Sequence, residues 1–219
     1  AQVADRVFTA FPQVLPKAQW VGNPLRAEFL QQQDPDTRFA NRTGPLRVLV
    51  VGGSLGAKAL NEVVPAALAM LPADQRPIVT HQSGAKQIDA LRANYNAAGV
   101  QAELTPFITN TGQAFAQADL VIARAGASTV TELAAVGAPA LFVPFPFAVD
   151  DHQTSNAQFL VSQGAGMLIQ QADLTAEKLA DMLQNMQRST LLQWAQKAHG
   201  LAKTHAVDEV VKSCEVLAA

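Results

Sequence analysis

The sequence predicts an α/β protein built on a doubly wound parallel sheet of the Rossmann type, and three observations carry that expectation. Short apolar runs at 46–51, 120–123 and 140–143 read as strands covered on both faces. Strand and helical period alternate about six times with short connections. Turn-forming residues stand where strand passes to helix, first in Gly52-Gly53-Ser54-Leu55-Gly56 and later in Pro144-Phe145-Pro146.

In chain order, residues 1–41 do not read as the opening of a domain. A strand is expected near Val7 and Phe8 and another at Gln19-Trp20-Val21, with Pro12 and Pro16 between them. Two such strands cannot bury their faces alone. Residues 31–44 are polar. The segment is expected to be the tail of a preceding domain and a linker, or an arm packed on the main domain. The strand at 46–51 leads into a helix with Leu60, Val63, Val64, Ala67, Leu68 and Leu71 on one face. A strand at 77–80, a helix marked by Ile88, Leu91 and Tyr95, and a strand at 100–104 follow. Phe115 and Ala118 suggest a short helix before the buried strand at 120–123. A helix at 129–136 closes on Gly137, as a left-handed C-cap requires. After the strand at 140–143 come a helix at 156–162 and a last strand at 167–169. The tail is helical: one helix opens at Thr175 as N-cap, a second spans 191–202, and a third carries Val207, Val210, Val211 and Cys214 on one face. The expected division is therefore 1–41, a Rossmann-like domain at 42–190, and C-terminal helices at 191–219 that pack here or reach back to a neighbouring domain.

Composition narrows the function classes. The chain is 49% hydrophobic and 16% charged, which supports a sizeable core. A formal net charge of −2 is a poor match to a nucleic-acid scaffold, and no nucleic-acid partner is expected. Cys214 is the one cysteine, so no internal disulfide staples the fold. No apolar run reaches the roughly 18 residues needed to span a bilayer.

The chemistry is expected in three strand-to-helix loops. Gly52 to Ala57 allows a tight turn in which backbone amides approach an anion, or serves packing alone. It lacks the Gly-Lys-Ser/Thr of a Walker loop, because Gly56-Ala57-Lys58 stands there. It also lacks the dinucleotide pattern, because the position for an acid after the next strand carries His81-Gln82-Ser83. The second loop runs from Arg124 through Ala127-Ser128-Thr129-Val130-Thr131 to Glu132 and offers amides and hydroxyls at a helix start. Glu132 reads equally as an acceptor for a ribose diol and as the partner of Thr129 in a capping box. The third loop concentrates Asp150, Asp151, His152 and Gln153 after two prolines. No distant ligand set completes a metal site there, and Gln153 has the donor and acceptor that sugar hydroxyls require.

Together these loops carry a resemblance. Gly22-Asn23-Pro24-Leu25-Arg26, the stretch from Gly52 to Ala57, Thr105-Pro106-Phe107-Ile108, the stretch from Ala125 to Glu132, and Asp150-Asp151-His152-Gln153 occur in order across nearly the whole chain. The chain resembles the C-terminal, donor-binding domain of glycosyltransferase family 28, one half of a two-domain GT-B fold. These enzymes move N-acetylglucosamine from UDP-N-acetylglucosamine to a lipid-linked muramyl-pentapeptide in peptidoglycan synthesis (lipid I to lipid II). The resemblance implies that Arg26 and Ser54 lie against the diphosphate and that Ile108 meets the uracil through its backbone. It implies that Ala127, Ser128, Thr129, Val130 and Thr131 hold phosphate and ribose, with Glu132 on the ribose hydroxyls and Gln153 on the sugar. It further implies no cofactor beyond the donor UDP-N-acetylglucosamine. Undecaprenyl-pyrophosphoryl-muramyl-pentapeptide would bind through an N-terminal domain, on the cytoplasmic face of the bacterial membrane. That domain's Gly-rich, His-containing loop is absent here, so the general base is expected outside this chain and the fragment alone is expected to be inactive. Phe147 stands where relatives commonly carry histidine. Two other readings share the nucleotide site: a UDP-N-acetylglucosamine epimerase, and a UDP-sugar-binding domain without catalysis.

Overall fold

A computed structural model describes residues 4–53 and 56–218 of the chain. Its centre is a six-stranded, wholly parallel sheet formed by β3 (Arg47–Val51), β4 (Ile78–Gln82), β5 (Glu103–Thr105), β6 (Leu120–Ala123), β7 (Ala140–Phe142) and β8 (Met167–Leu168). The order across the sheet is β5-β4-β3-β6-β7-β8. The chain winds outward from β3 in one direction and from β6 in the other, so the topological switch lies between β3 and β6.

Alternation along the strands sorts the core into two layers. Val48, Val50, Leu120, Ile122 and Leu141 face one layer; Leu49, Val121, Ala123, Ala140 and Phe142 face the other. The first layer is closed by α3 (Lys58–Met70), α4 (Ile88–Ala98) and α8 (Ala176–Asn185), through Leu60, Val64, Leu91, Tyr95 and Leu179. The second is closed by α5 (Thr111–Gln117), α6 (Ala127–Val136) and α7 (His152–Val161), through Phe115, Val130, Leu133 and Leu160. Each fully buried Leu or Ile contributes about 1.5–3 kcal/mol relative to exposure. Thr175 does cap α8, its hydroxyl accepting from the Lys178 amide at 3.2 Å.

The first forty residues pack on this body. β1 (Phe8–Thr9) and β2 (Gln19–Trp20) pair in parallel, and Phe11 packs tilted and Trp20 edge-on against Phe159 of α7 at 5.3 and 5.6 Å between ring centroids. α1 (Ala27–Leu30) lies against α5 and α6, and α2 (Pro35–Phe39) against α9 (Arg188–Gly200). Two arginines bind the segment down. Arg38 donates to the carbonyls of Ala116, Val136 and Gly137, which end α5 and α6. Burial draws its pKa down to about 10, so it stays a cation at neutral pH. Arg42 donates to the Ala118 carbonyl and pairs at 2.8 Å with Asp119, whose side chain is fully buried. Asp119 also accepts from the Arg47 amide at 2.8 Å and from Arg188 of α9 at 3.2 Å.

The last helix, α10 (Ala206–Ala218), buries Ala206 and Ser213, while Val207, Val211 and Cys214 are exposed and Val210 is partly so. One expectation changes. α7 begins at His152, ahead of the expected 156, because Asp150 and Asp151 adopt positive φ (52° and 49°) and turn the chain into the helix at once. Among the described residues no helix is long and apolar enough to cross a membrane.

Candidate functional site

Strand register sets out the site. Thr105, Gln82, Val51, Ala123, Phe142 and Leu168 stand side by side in one row across the sheet. Every strand-to-helix loop leaves from that row, at the carboxyl edge where ligands of such sheets bind. The loops after β3 and β6 start from adjacent, register-matched residues at the topological switch, one strand spacing apart (~4.8 Å).

The loop after β3 needs its glycines because of what lies beneath it. A Cβ on Gly56 would fall 2.2 Å from the Ser83 carbonyl oxygen and 2.7 Å from Gln87 Nε2, and φ there is +78°. No other residue fits such a turn without moving β4. Ser54, expected at the diphosphate, lies outside the described residues, as does Leu55.

The loop after β6 opens α6 with Gly126 in extended conformation as N-cap and no side-chain cap. The capping-box reading is thereby overturned: the helix starts at Ala127, two residues before Thr129 could cap it. The Val130 amide already bonds the Gly126 carbonyl at 3.0 Å. Among the described residues the amides left for an anion are those of Ala127, Ser128 and Thr129, at the positive end of the helix dipole. Val130 is fully buried in the core. The Thr131 hydroxyl donates back to the Ala127 and Ser128 carbonyls and accepts from Asn23 Nδ2 at 3.2 Å. Val130 and Thr131 thus fasten the turn from behind.

Glu132 projects from the same helix toward the N-cap of α1, where Arg26 sits. Arg26 Nη2 lies 2.8 Å from Glu28 and 4.0 Å from Glu132. Burial pushes the Glu132 carboxyl above the usual carboxylate range; Arg26 opposes the rise and Glu28 adds to it. The structure therefore brings together an exposed guanidinium from the first forty residues and a half-buried carboxylate from α6, beside the three free amides.

Ile108 follows β5. Neither its N–H nor its C=O bonds another group among the described residues, so both can serve a base edge. The turn is shaped by Thr105, whose hydroxyl donates to the Phe107 carbonyl at 2.7 Å. Ile108 borders a cavity of about 340 Å³ with Leu49, Thr80, Glu103, Thr105 and Phe107; Arg26 and Glu132 do not line it. Gln153 is held otherwise than expected. Its Oε1 accepts from the Ala125 amide at 3.2 Å and the Phe145 amide at 2.9 Å, tying two loops together and leaving only its amide nitrogen for a ligand. Phe147 is exposed on the same loop. Among the described residues no three His, Cys, Asp or Glu side chains converge as for a metal.

Sequence reasoning passed over the groups that hold these loops. Arg124 donates to the Val143 and Pro144 carbonyls and to Gln171 Oε1, fixing the proline loop. Asn156 is buried and donates to the Ala125 carbonyl at 3.0 Å. Beneath the glycine loop His81 is wholly buried, with Nε2 3.1 Å from Asn61 Oδ1 and Nδ1 3.1 Å from the Tyr95 hydroxyl. Asn61 Nδ2 donates to Gln87 Oε1, so Asn61 Oδ1 accepts and His81 carries its proton on Nε2. Burial lowers its pKa to about 3 and keeps it neutral. A polar residue at the end of an apolar strand was the available signal for Gln82 and His81.

Residues 47–212 match the glycosyltransferase family 28 C-terminal domain. The UDP-N-acetylglucosamine--N-acetylmuramyl-(pentapeptide) pyrophosphoryl-undecaprenol N-acetylglucosamine transferase of Polaromonas sp. strain JS666 is 71% identical over 218 residues, covering 100% of this chain and 56% of the relative. The enzyme of that name from Paracidovorax citrulli is 67% identical over 219 residues, covering 100% of this chain and 62% of the relative. The crystal structure of MurG from Acinetobacter baumannii superposes with a TM-score of 0.86 at 40% identity, covering 96% of this chain and 60% of that one. The chain thus spans 56–62% of the length of these relatives. With the match running from the first long strand into the last helix, the chain belongs to glycosyltransferase family 28, whose C-terminal domain it carries.

Proposed function

We propose that this chain binds the donor of a transferase that moves N-acetylglucosamine from UDP-N-acetylglucosamine to undecaprenyl-pyrophosphoryl-muramyl-pentapeptide (lipid I to lipid II). The observation that carries the reading is the meeting of Arg26 and Glu132, 4.0 Å apart, beside the free amides of α6 at the topological switch. A nucleoside diphosphate matches that chemistry: Glu132 accepts from the ribose hydroxyls, while the amides of Ala127, Ser128 and Thr129, with Arg26, face the diphosphate, to which the family resemblance also assigns Ser54. Ile108 offers its backbone to the uracil, and Gln153 Nε2 is the group left for the sugar.

In the whole enzyme the acceptor hydroxyl attacks the anomeric carbon from the face opposite UDP. The bond to the diphosphate oxygen breaks as the new glycosidic bond forms, and the configuration inverts. UDP leaves with the bonding pair, and the acceptor proton passes to a base outside this chain. Arg26 and the helix amides stabilise the charge that grows on the diphosphate, which is where differential binding accelerates the step. Neither a metal nor a cofactor is part of this proposal. The acceptor, the base and the cytoplasmic membrane surface are assigned to the part of the relatives that this chain does not span, and the chain alone is proposed to bind donor without transfer.

Calorimetric titration with UDP tests the reading. Arg26→Ala and Glu132→Ala are each expected to weaken binding about tenfold, the worth of one charge-assisted contact. Unchanged affinity in both variants removes the site. Incubating the full-length enzyme with donor but no acceptor separates transfer from epimerisation, since a changed sugar configuration is the epimerase outcome.

A further inference from the structure

Gln82 ends β4 where a dinucleotide-binding sheet would carry an acid, and it makes no ribose contact in the arrangement proposed above. Its side chain is almost wholly buried under the glycine loop. Oε1 accepts from the Gly53 amide at 3.0 Å, and Nε2 donates to the Gly53 carbonyl at 3.1 Å. The carboxamide therefore grips one peptide residue at both ends, as a neighbouring strand would. Its second Nε2 proton goes to the Pro106 carbonyl at 3.0 Å, two residues before Ile108. The main chain repeats the link: Gly52 N–H bonds the Gln82 carbonyl at 2.9 Å, and Ser83 N–H bonds the Thr105 carbonyl at 3.1 Å. One side chain thus spans from the loop assigned to diphosphate to the loop assigned to uracil.

We propose that Gln82 is a positioning residue that fixes the spacing between the diphosphate loop and the base loop, and so sets the site to the length of a uridine diphosphate. This rests on the nucleotide-site reading above. Only a carboxamide suits the place. It needs one acceptor and two donors at the end of a side chain of this length, and among common side chains only Gln provides them there. A carboxylate of the same shape would keep the Gly53 amide but set lone pairs against two carbonyl oxygens. A thioether would fill the volume and hold neither loop.

The test compares UDP with uridine, since uridine reaches the base loop and Glu132 but not the diphosphate loop, whereas UDP engages both loops that Gln82 holds. Wild-type chain, Gln82→Met and Gln82→Glu are titrated with each ligand, with melting temperature recorded for all three. Gln82→Met is expected to weaken UDP about tenfold while uridine weakens no more than about threefold, because one ligand depends on two held loops and the other on one. Gln82→Glu is expected to bind UDP no better than Gln82→Met. An equal loss for both ligands, no loss, or recovery by Gln82→Glu overturns the proposal. Hydrogen exchange at the Gly53 amide of the wild-type chain provides a readout free of substitution. Protection there supports the grip, and exchange at the rate of an open loop removes it. A wild-type chain that binds neither ligand overturns the nucleotide site itself, an outcome distinct from wild-type binding that ignores Gln82.

Discussion

Burial raises the Glu132 carboxyl, and the direction of that shift has consequences for stability as well as binding. A carboxyl whose pKa is higher in the folded chain binds its proton more tightly there than when unfolded. Its contribution to stability is therefore fullest below its unfolded value and declines as pH rises through the raised one. At neutral pH the ionised group works against the fold, and Arg26 at 4.0 Å offsets only part of this. Glu132→Gln is expected to gain on the order of 0.5 kcal/mol at pH 7.5, raising Tm by roughly 1–2 °C in a domain of this size. The same variant should bind UDP about tenfold more weakly, because an amide cannot accept both ribose hydrogen bonds as a carboxylate does. In the wild type, UDP affinity should begin to fall at a higher pH than an ordinary glutamate would dictate. A melting scan and a titration across pH check both. A higher Tm with undiminished UDP affinity would assign Glu132 to packing alone.

At the scale of elements, α6 shows what the sequence could and could not say. Its C-terminus was legible: Gly137 takes φ +65°, and the Gly137 and Ala138 amides close on the Ala134 and Leu133 carbonyls. A Cβ there would stand 2.6 Å from Pro35 Cγ and 3.0 Å from the Ala195 carbonyl oxygen. Gly137→Ala should therefore cost about 2 kcal/mol or more, from strain at positive φ and from collision with α2 and α9, read as a lowered denaturant midpoint with unchanged slope. The start of α6 was not legible, since Gly126 caps it by backbone conformation with no side chain to mark the place. β5 shows the converse confusion. Val100 was expected to open the strand but is buried as the residue after the Gly99 C-cap, its amide bonded to the Tyr95 carbonyl, and the strand begins at Glu103. The loops that form the candidate site were legible from their glycines and prolines. The side chains that hold them were not, because Gln82 meets Gly53 and Pro106 only through strand register, which a single sequence does not state.

Across the whole molecule, two buried groups set the response to acid. The folded pKa of His81 is about 3, well under its ordinary value, so the folded chain takes up fewer protons than the unfolded one between about pH 6.5 and 3. Stability should decline steadily through that window, by several kcal/mol if the ring stays buried. Chemical denaturation at successive pH values checks this, and a flat profile would mean that His81 opens to water. Burial opposes the charge on Asp119, but the Arg47 amide and the Arg42 and Arg188 guanidiniums outweigh it and hold the pKa below the usual range. That stability is present above the unfolded value and disappears as pH falls through the lowered one. Asp119→Asn should cost about 3–5 kcal/mol in a denaturant melt, since two arginines lose their counter-charge. The arginine at residue 42 also bears on where this protein could be cut. The family match opens at Arg47, yet Arg38 and Arg42 lie upstream of it and tether the ends of α5 and α6 and the Asp119 carboxylate. A clone begun at that first matching codon would leave Asp119 with Arg188 as its one cation and would open the carbonyls that end α5 and α6 to water. The smallest piece able to stand alone is thus longer than the family match, and the excess supplies these hydrogen bonds together with Phe11, Phe29 and Phe39 of the core.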